Sequence, residues 1–220
     1  MKNGLKNGKG IKYYSNGKIK YEGDFINDKY EGKGKYIFED GVYYIGEEKN
    51  GLKNGKGTMY YPNGKVMYEG DWVNDKREGY GKYIYEDGGY YIGQWKNGLT
   101  HGKGREYYPN GNLKFEGDYI NDKREGYGKC IFGKGNYYIG SFKNDSAHGK
   151  GKIYYSNGNI MYEGDIIYGT EGNGRFNYEN GEYYIGQWKN YLKHGYGTLY
   201  YSNGIIKKGG KWINDIFVGN

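Results

Sequence analysis

Aromatic, glycine and polar residues alternate along the whole chain in short segments. An aromatic residue stands two positions before a glycine every 22 to 24 residues, at Tyr21, Tyr44, Tyr68, Tyr91, Phe115, Tyr138, Tyr162 and Tyr184. Alternation over four to eight residues is typical of β-strands. Pairs such as Asn16-Gly17 and Asp87-Gly88 follow the segments. They favour tight turns because these residues tolerate a positive φ.

A period of about 23 residues has room for two strands and two turns, and no room for a helix. Each period predicts a strand A (such as 91–96), a short loop, a strand B (such as 103–108) and a turn. Stacked hairpins would form an all-β, elongated, single-layer antiparallel sheet. We predict one array over 1–220: a half-copy at 1–20, full copies starting near 21, 44, 68, 91, 115, 138, 162 and 184, and a truncated copy at 208–220.

Two kinds of hairpin alternate. Odd copies read Tyr/Phe-Glu-Gly-Asp, and even copies read Tyr-Tyr-Ile-Gly. The predicted unit is therefore a pair of unlike hairpins, 46 or 47 residues long.

In strand A, the leading aromatic residue, the glycine and the residue two positions further share one face, because side chains alternate along a strand. The third position is aromatic in most copies, with Glu48 and Ile166 as exceptions. We expect the rings to lie over the glycines and cover the sheet. We also expect this column to be partly exposed and to offer a groove to a protein partner. The candidates are Trp72, Trp95, Tyr119, Phe142, Trp188 and Trp212.

The other face carries two kinds of surface. Even hairpins and their neighbours present a small apolar patch, formed by Ile37, Tyr43, Ile45 and Tyr60 and their repeats. Odd hairpins present an acidic stripe of Glu22 and Asp24, beside Lys33 and Lys35. We expect cross-strand ion pairs there, each contributing about 0.2–1 kcal/mol. The regular patch suits a periodic partner or a second copy of the chain.

Composition separates this chain from an ordinary globule and from a disordered chain. It contains 44 glycines and 32 tyrosines in 220 residues, and its mean hydropathy is -1.07. Disordered segments are poor in aromatic residues, whereas this chain is 20% aromatic. The net charge of +7 permits anionic partners. Because acids are interleaved with the bases, nucleic-acid binding is disfavoured.

We find no pattern that indicates catalysis, a metal site or a cofactor, and we expect a protein that is not an enzyme. His101, His148 and His194 occupy one repeat position, about four strands apart, which is too far to share an ion. Cys130 is the single cysteine, which suits a reducing compartment. Without a long apolar stretch, the expected location is cytoplasmic, with association to the cytoskeleton or to membranes left open.

Two segments carry a family resemblance. They are Tyr68-Glu69-Gly70-Asp71-Trp72 with Gly79-Tyr80-Gly81, and Tyr91-Ile92-Gly93-Gln94-Trp95 with Gly102-Lys103-Gly104. Both resemble the MORN repeat (membrane occupation and recognition nexus), and the resemblance covers essentially the whole chain. It implies a rod-like, gently twisted single-layer sheet. It also implies a role in linking membranes, cytoskeleton and signalling proteins.

Three functions remain open at this point. The first is a non-catalytic scaffold that binds an extended peptide, a cytoskeletal protein or itself. The second is binding to anionic phospholipids such as phosphoinositides through a basic loop edge. The candidates there are Lys49, Lys76, Arg77, Lys96, Lys123, Arg124, Lys143 and Lys189. The third is a regulatory module of a larger enzyme.

The first and last copies lack a strand each. Open sheet edges favour pairing with another chain, so we expect end-to-end homo-oligomers. A fragment of a longer array is an equally good interpretation.

Overall fold

The computed structural model describes residues 4–167 and 170–219, which form strands and turns and include no helix. The predicted all-β class and the tandem hairpins are confirmed. The chain divides into two compact units. Unit 1 holds Met1–Asn112 and Ile120–Asp122, and unit 2 holds Leu113–Tyr119 and Lys123–Asn220.

Every strand pairs antiparallel with its neighbours in sequence within its unit. The strands of unit 1 are β1 (Gly8–Tyr13), β2 (Ile19–Ile26), β3 (Lys29–Ile37), β4 (Tyr43–Lys49), β5 (Leu52–Tyr60), β6 (Val66–Val73), β7 (Lys76–Ile84), β8 (Tyr90–Lys96) and β9 (Leu99–Tyr107). The strands that follow, mostly in unit 2, are β10 (Leu113–Ile120), β11 (Lys123–Phe132), β12 (Asn136–Lys143), β13 (Ser146–Tyr154), β14 (Ile160–Ile167), β15 (Thr170–Asn177), β16 (Tyr183–Lys189), β17 (Leu192–Tyr200), β18 (Ile206–Ile213) and β19 (Ile216–Gly219).

Two-residue turns connect strand A to strand B. Both turn residues have a positive φ, as in Asn27 (49°) and Asp28 (63°), which is the geometry that matches the twist of a hairpin. The predicted loop at 97–102 is therefore wrong. The turn is Asn97-Gly98, and β9 already begins at Leu99. Strand B is therefore longer than predicted, and residues 99–102 belong to the sheet.

The Asn-Gly and Asp-Gly pairs form the turns from strand B to the next strand A, as predicted. In the first, the Gly17 amide donates to the Tyr14 carbonyl over 3.1 Å, and the Lys18 amide donates to Asn16 Oδ1 over 3.0 Å. Gly17 has a φ of 80°, which glycine adopts without strain. The same bonds recur in later copies.

One face of each unit is covered by its own aromatic rings, and we call it the ring-covered face. Tyr21 is 0% exposed, and its hydroxyl donates to the Asp24 carbonyl over 3.1 Å. The ring lies over the paired glycines Gly23 and Gly34, where an added Cβ would overlap it. The predicted cover of rings over glycine is thus confirmed. Seven leading aromatics are fully buried in this way: Tyr21, Tyr44, Tyr68, Tyr91, Phe115, Tyr162 and Tyr184.

Candidate binding surface

The predicted aromatic column lies on the ring-covered face, but it is buried. Trp72 is 5% exposed, packs edge-on against Tyr68 and Tyr44 at 5.2 and 5.5 Å, and donates its indole N–H to the Gly57 carbonyl over 3.1 Å. The expectation of a partly exposed groove is wrong, because rings from neighbouring hairpins interlock across the strands. All six candidates are at most 9% exposed: Trp72, Trp95, Tyr119, Phe142, Trp188 and Trp212.

The two arginines of the predicted basic edge turn away from it. The Arg77 guanidinium lies 4.1 Å from the centroid of the Trp95 ring and donates to the Gly98 carbonyl over 2.7 Å. Burial lowers the pKa of Arg77 from its usual value. Arg124 lies 4.7 Å from the centroid of the Phe115 ring. Both side chains belong to the ring-covered face, so the expectation that they lie on a basic loop edge is wrong.

The lysines of that edge are exposed, at Lys49, Lys76, Lys96, Lys123, Lys143 and Lys189. Acidic residues beside them bind the turn backbone. Asp75 Oδ1 accepts from the Lys53 amide and from Lys53 Nζ, both over 3.0 Å. Glu78 accepts from the Asn97 amide over 2.8 Å. Through these hydrogen bonds the carboxylates connect neighbouring hairpins near their turns. They also reduce the positive charge of the edge.

The opposite side of the sheet, here called the open face, carries stacked tyrosine pairs on the even hairpins. Each pair joins two adjacent strands, and the rings are nearly parallel, with centroids 4.5 to 4.7 Å apart. We call these four pairs the outer tyrosine row: Tyr43–Tyr60, Tyr90–Tyr107, Tyr137–Tyr154 and Tyr183–Tyr200.

A cation covers the first ring of each pair. Lys35 and Lys82 lie 4.6 and 4.4 Å from the ring centroids of Tyr43 and Tyr90. Lys129 and Arg175 hold the same place over the corresponding rings in unit 2, at 4.2 and 3.9 Å. The tyrosines are half-buried, so one edge of each ring remains accessible.

Aliphatic and further aromatic side chains widen this surface. The register places Ile84 opposite Tyr90, and Ile45 and Ile185 are each 44% exposed on even strands. The predicted grouping of apolar residues on this face of the even hairpins is confirmed by the register. Sequence reasoning missed three highly exposed tyrosines on this face, whose signal was the motif Gly-Tyr-Gly. They are Tyr80, Tyr127 and Tyr196, which are 61%, 61% and 65% exposed.

Cross-strand ion pairs lie between the apolar parts of the open face, as predicted. Lys56 pairs with Asp71 over 2.6 Å, and the Nζ atom of Lys152 lies 2.9 Å from Glu163. These pairs are solvent-exposed, so water and salt screen them and each contributes little to stability. Their main consequence is that acidic residues of the odd hairpins, such as Asp71 and Glu163, lie beside lysines of the neighbouring strand.

Among residues 4–167 and 170–219, no three His, Cys, Asp or Glu side chains come together in a group that could hold a metal ion. No helix long and apolar enough to cross a bilayer occurs in that part of the chain.

Family models match most of the chain. The model described as the MORN repeat matches residues 21–43, 44–66, 68–90, 91–113, 115–137, 138–160 and 184–206. A MORN repeat variant matches residues 6–27. No curated protein sequence matches.

Several solved structures align with the chain at 13% identity. One is the E1021V mutant of the TCP10 domain of Danio rerio CPAP, with a TM-score of 0.29 over 92% of this chain and 99% of that chain. Another is a streptogramin B lyase, with a TM-score of 0.21 over 98% of this chain and 86% of that chain. These TM-scores are below 0.5, so the matches bear on neither fold nor function.

Proposed function

Because the chain belongs to the MORN-repeat family, we propose that it is a non-catalytic scaffold that binds a protein partner through the outer tyrosine row. The observation that carries this proposal is the fourfold recurrence of a cation-covered tyrosine stack on the open face. Most of the ring-covered face is occupied by the chain's own side chains.

The tyrosine stacks have the physical properties of binding hot spots. Tyrosine, tryptophan and arginine dominate the energetics of protein interfaces. Tyr90 is held between Lys82 and Tyr107, so its ring loses little freedom when a partner packs on it. The neighbouring cation favours acidic groups at the rim of the partner's contact. We therefore propose a partner with apolar side chains flanked by carboxylates.

Spacing favours an extended partner within each unit. Tyr43 lies on β4 and Tyr90 on β8, four strands apart in the sheet of unit 1. At about 4.8 Å per strand, the two stacks are roughly 19 Å apart. A single side chain cannot reach both, whereas a helix or an extended segment can. Repeat proteins commonly use such long, regular surfaces for binding.

The role of the outer tyrosine row in partner binding can be tested with two variants of unit 1. Proteins retained from a cell extract by the immobilised chain would be identified by cross-linking and mass spectrometry, purified and titrated against the chain. We expect Tyr90→Ser combined with Tyr107→Ser to weaken the purified complex about tenfold or more, because the variant removes one whole stack.

Tyr80→Ser is the matched control, because Tyr80 is 61% exposed on the same face but outside the row. It should bind within a factor of about two of the natural chain. Equal affinity of all three proteins would place the interface elsewhere. If the double variant and Tyr80→Ser lose binding to the same extent, the partner does not bind specifically to the outer tyrosine row.

Binding to anionic membranes is a second candidate, favoured by the exposure of the six lysines on the turn edge. Flotation with vesicles containing phosphoinositides at physiological salt tests it. If the membrane is a partner, Lys49→Glu combined with Lys96→Glu should abolish flotation. The tyrosine double variant should float unchanged, so the two surfaces are distinguishable.

A further inference from the structure

One cavity on the ring-covered face breaks the repeat. It has a volume of about 250 Å³ and lies in unit 1. Its lining includes three aromatic side chains and four charged ones: Tyr30, Tyr36, Phe38, Lys20, Glu48, Lys53 and Asp75. A cavity of about 150 Å³ already holds a benzene ring. This one is therefore large enough for an aromatic ligand.

Glu48 is the buried group in this cavity. It occupies the strand A position that is tryptophan or phenylalanine in the other even hairpins, and it is 5% exposed. Lys53 lies opposite Glu48 in the register and pairs with Asp75 over 3.0 Å. Burial raises the pKa of Glu48 from 4.5 to about 7, against the attraction of Lys53. Burying a carboxyl group is costly unless another group hydrogen-bonds to it, and a ligand in the cavity could supply that group.

In unit 2 the position equivalent to Glu48 is occupied by Trp188. Trp188 lies opposite Lys193, just as Glu48 lies opposite Lys53. Lys193 pairs with Asp215 over 3.1 Å, and Lys53 pairs with Asp75 over 3.0 Å. Because the lysine–aspartate pair coexists with an indole at Trp188, Lys53 does not take the place of the missing ring.

The indole of Trp188 defines the contacts available in that place. Its N–H donates to the Gly174 carbonyl over 3.3 Å, and its ring lies 5.0 and 5.6 Å from those of Tyr184 and Phe176. The equivalent positions around Glu48 are Gly34, Tyr44 and Tyr36.

One wall of the cavity is formed by Tyr30. Tyr30 lies where β7 has Arg77, and it stacks on Tyr21 with centroids 3.9 Å apart. The cavity therefore has an aromatic wall and a buried carboxyl group in its lining. On the neighbouring strand β3, the Gly34 carbonyl corresponds to the acceptor that binds the indole of Trp188.

We propose that this cavity binds an external planar aromatic ring that carries an N–H donor, of the indole class, with the donor directed at Glu48 and the Gly34 carbonyl. The ring comes either from a tryptophan of a partner protein or from a free nitrogen heterocycle. The ligand completes the ring-covered face where the chain itself has left it open. This site is separate from the outer tyrosine row and does not depend on it.

Titration of the full chain with indole, followed by NMR chemical shifts, tests the site directly. We expect saturable shifts for residues around Glu48. The variant Glu48→Trp, which supplies the ring from the chain, should weaken indole binding at least tenfold. Glu48→Leu replaces the carboxyl group by a smaller apolar side chain. It should also weaken indole binding, and it is the variant to use if Glu48→Trp does not fold. 1-Methylindole, which lacks the donor, should bind about tenfold more weakly than indole.

Two further probes distinguish the sources of the ligand. Affinity for N-acetyltryptophanamide similar to that for indole supports a partner's tryptophan. Binding of indole alone supports a free heterocycle. Equal indole binding by the natural chain and by Glu48→Trp would overturn the proposal. So would binding of methylguanidinium that depends on Glu48 together with no binding of indole, since the site would then be ionic.

Discussion

At the scale of single residues, glycine and aromatic side chains act as pairs across strands. The Tyr44 ring occupies the space above Gly46 and Gly57, which face each other on β4 and β5. The contact explains why glycine, which normally weakens a strand, recurs in the middle of these strands. Stability therefore depends on the absence of a methyl group as much as on the presence of a ring.

Gly57→Ala should lower the free energy of unfolding by about 3 kcal/mol, because the new methyl group would displace the buried Tyr44 ring. The control is Gly209→Ala, where the added carbon meets Thr198 at ordinary contact distance, 3.4 Å or more. That variant should be neutral or slightly stabilising. Urea unfolding measures both, and similar losses would contradict the ring-over-glycine explanation.

Glu48 makes stability depend on pH. Its pKa is raised to about 7 in the folded chain by burial, with Lys53 opposing and Asp75 adding to the shift. Between about pH 4.5 and 7 the folded state holds a proton that the unfolded state has lost. The stabilising contribution is thus complete below pH 4.5 and is lost as pH rises through 7. Glu48→Gln removes this dependence.

We expect the natural chain to lose on the order of 2 kcal/mol relative to Glu48→Gln between pH 5 and pH 8. Urea unfolding at both pH values gives the difference directly. Parallel pH profiles for the two proteins would show that Glu48 ionises as freely as a solvent-exposed carboxyl group.

At the scale of the element, the turns set the register. Among the described turns from strand A to strand B, the second position is Asp or Gly with a positive φ in most copies, and in one it is Tyr191 with a φ of 66°. A left-handed conformation costs a residue with a Cβ about 1–2 kcal/mol. Asn and Asp compensate because their side chains hydrogen-bond to the local backbone.

Tyr191→Gly should therefore raise the free energy of unfolding by about 1 kcal/mol, because glycine adopts this φ freely. The reverse control is Gly98→Ala at the equivalent turn, where φ is 89°, and it should lower stability by a similar amount. Thermal unfolding of both variants provides the measurement. A loss of stability in Tyr191→Gly would mean that contacts of the tyrosine side chain outweigh the backbone strain.

At the scale of the molecule, each unit has its core on one face of a sheet. The buried set consists mainly of rings from neighbouring hairpins, and within each unit the described residues form no second layer over them. Such arrays derive stability from each repeat and its nearest neighbours. The open face remains available for partners without any cost to this core.

Trp95→Ala should destabilise the chain by about 3–5 kcal/mol, whereas Tyr80→Ser should change stability by about 0.5 kcal/mol or less. Trp95 is 5% exposed on the ring-covered face, and Tyr80 is 61% exposed on the open face. Unfolding of each variant in urea compares the two faces. Equal effects would show that both faces contribute to the core.

Sequence alone determined the hairpins, the two alternating copies and the residues that share a face. These follow from local rules: glycine and asparagine for positive φ, and a period of two along a strand. Tertiary structure decided which of those side chains are buried. The column of Trp72 is interlocked rather than open, Arg77 lies on a ring rather than at the edge, and Glu48 lines a cavity. Each depends on a cross-strand neighbour some 20 residues away and on the direction of the side chain, which local patterning leaves undetermined.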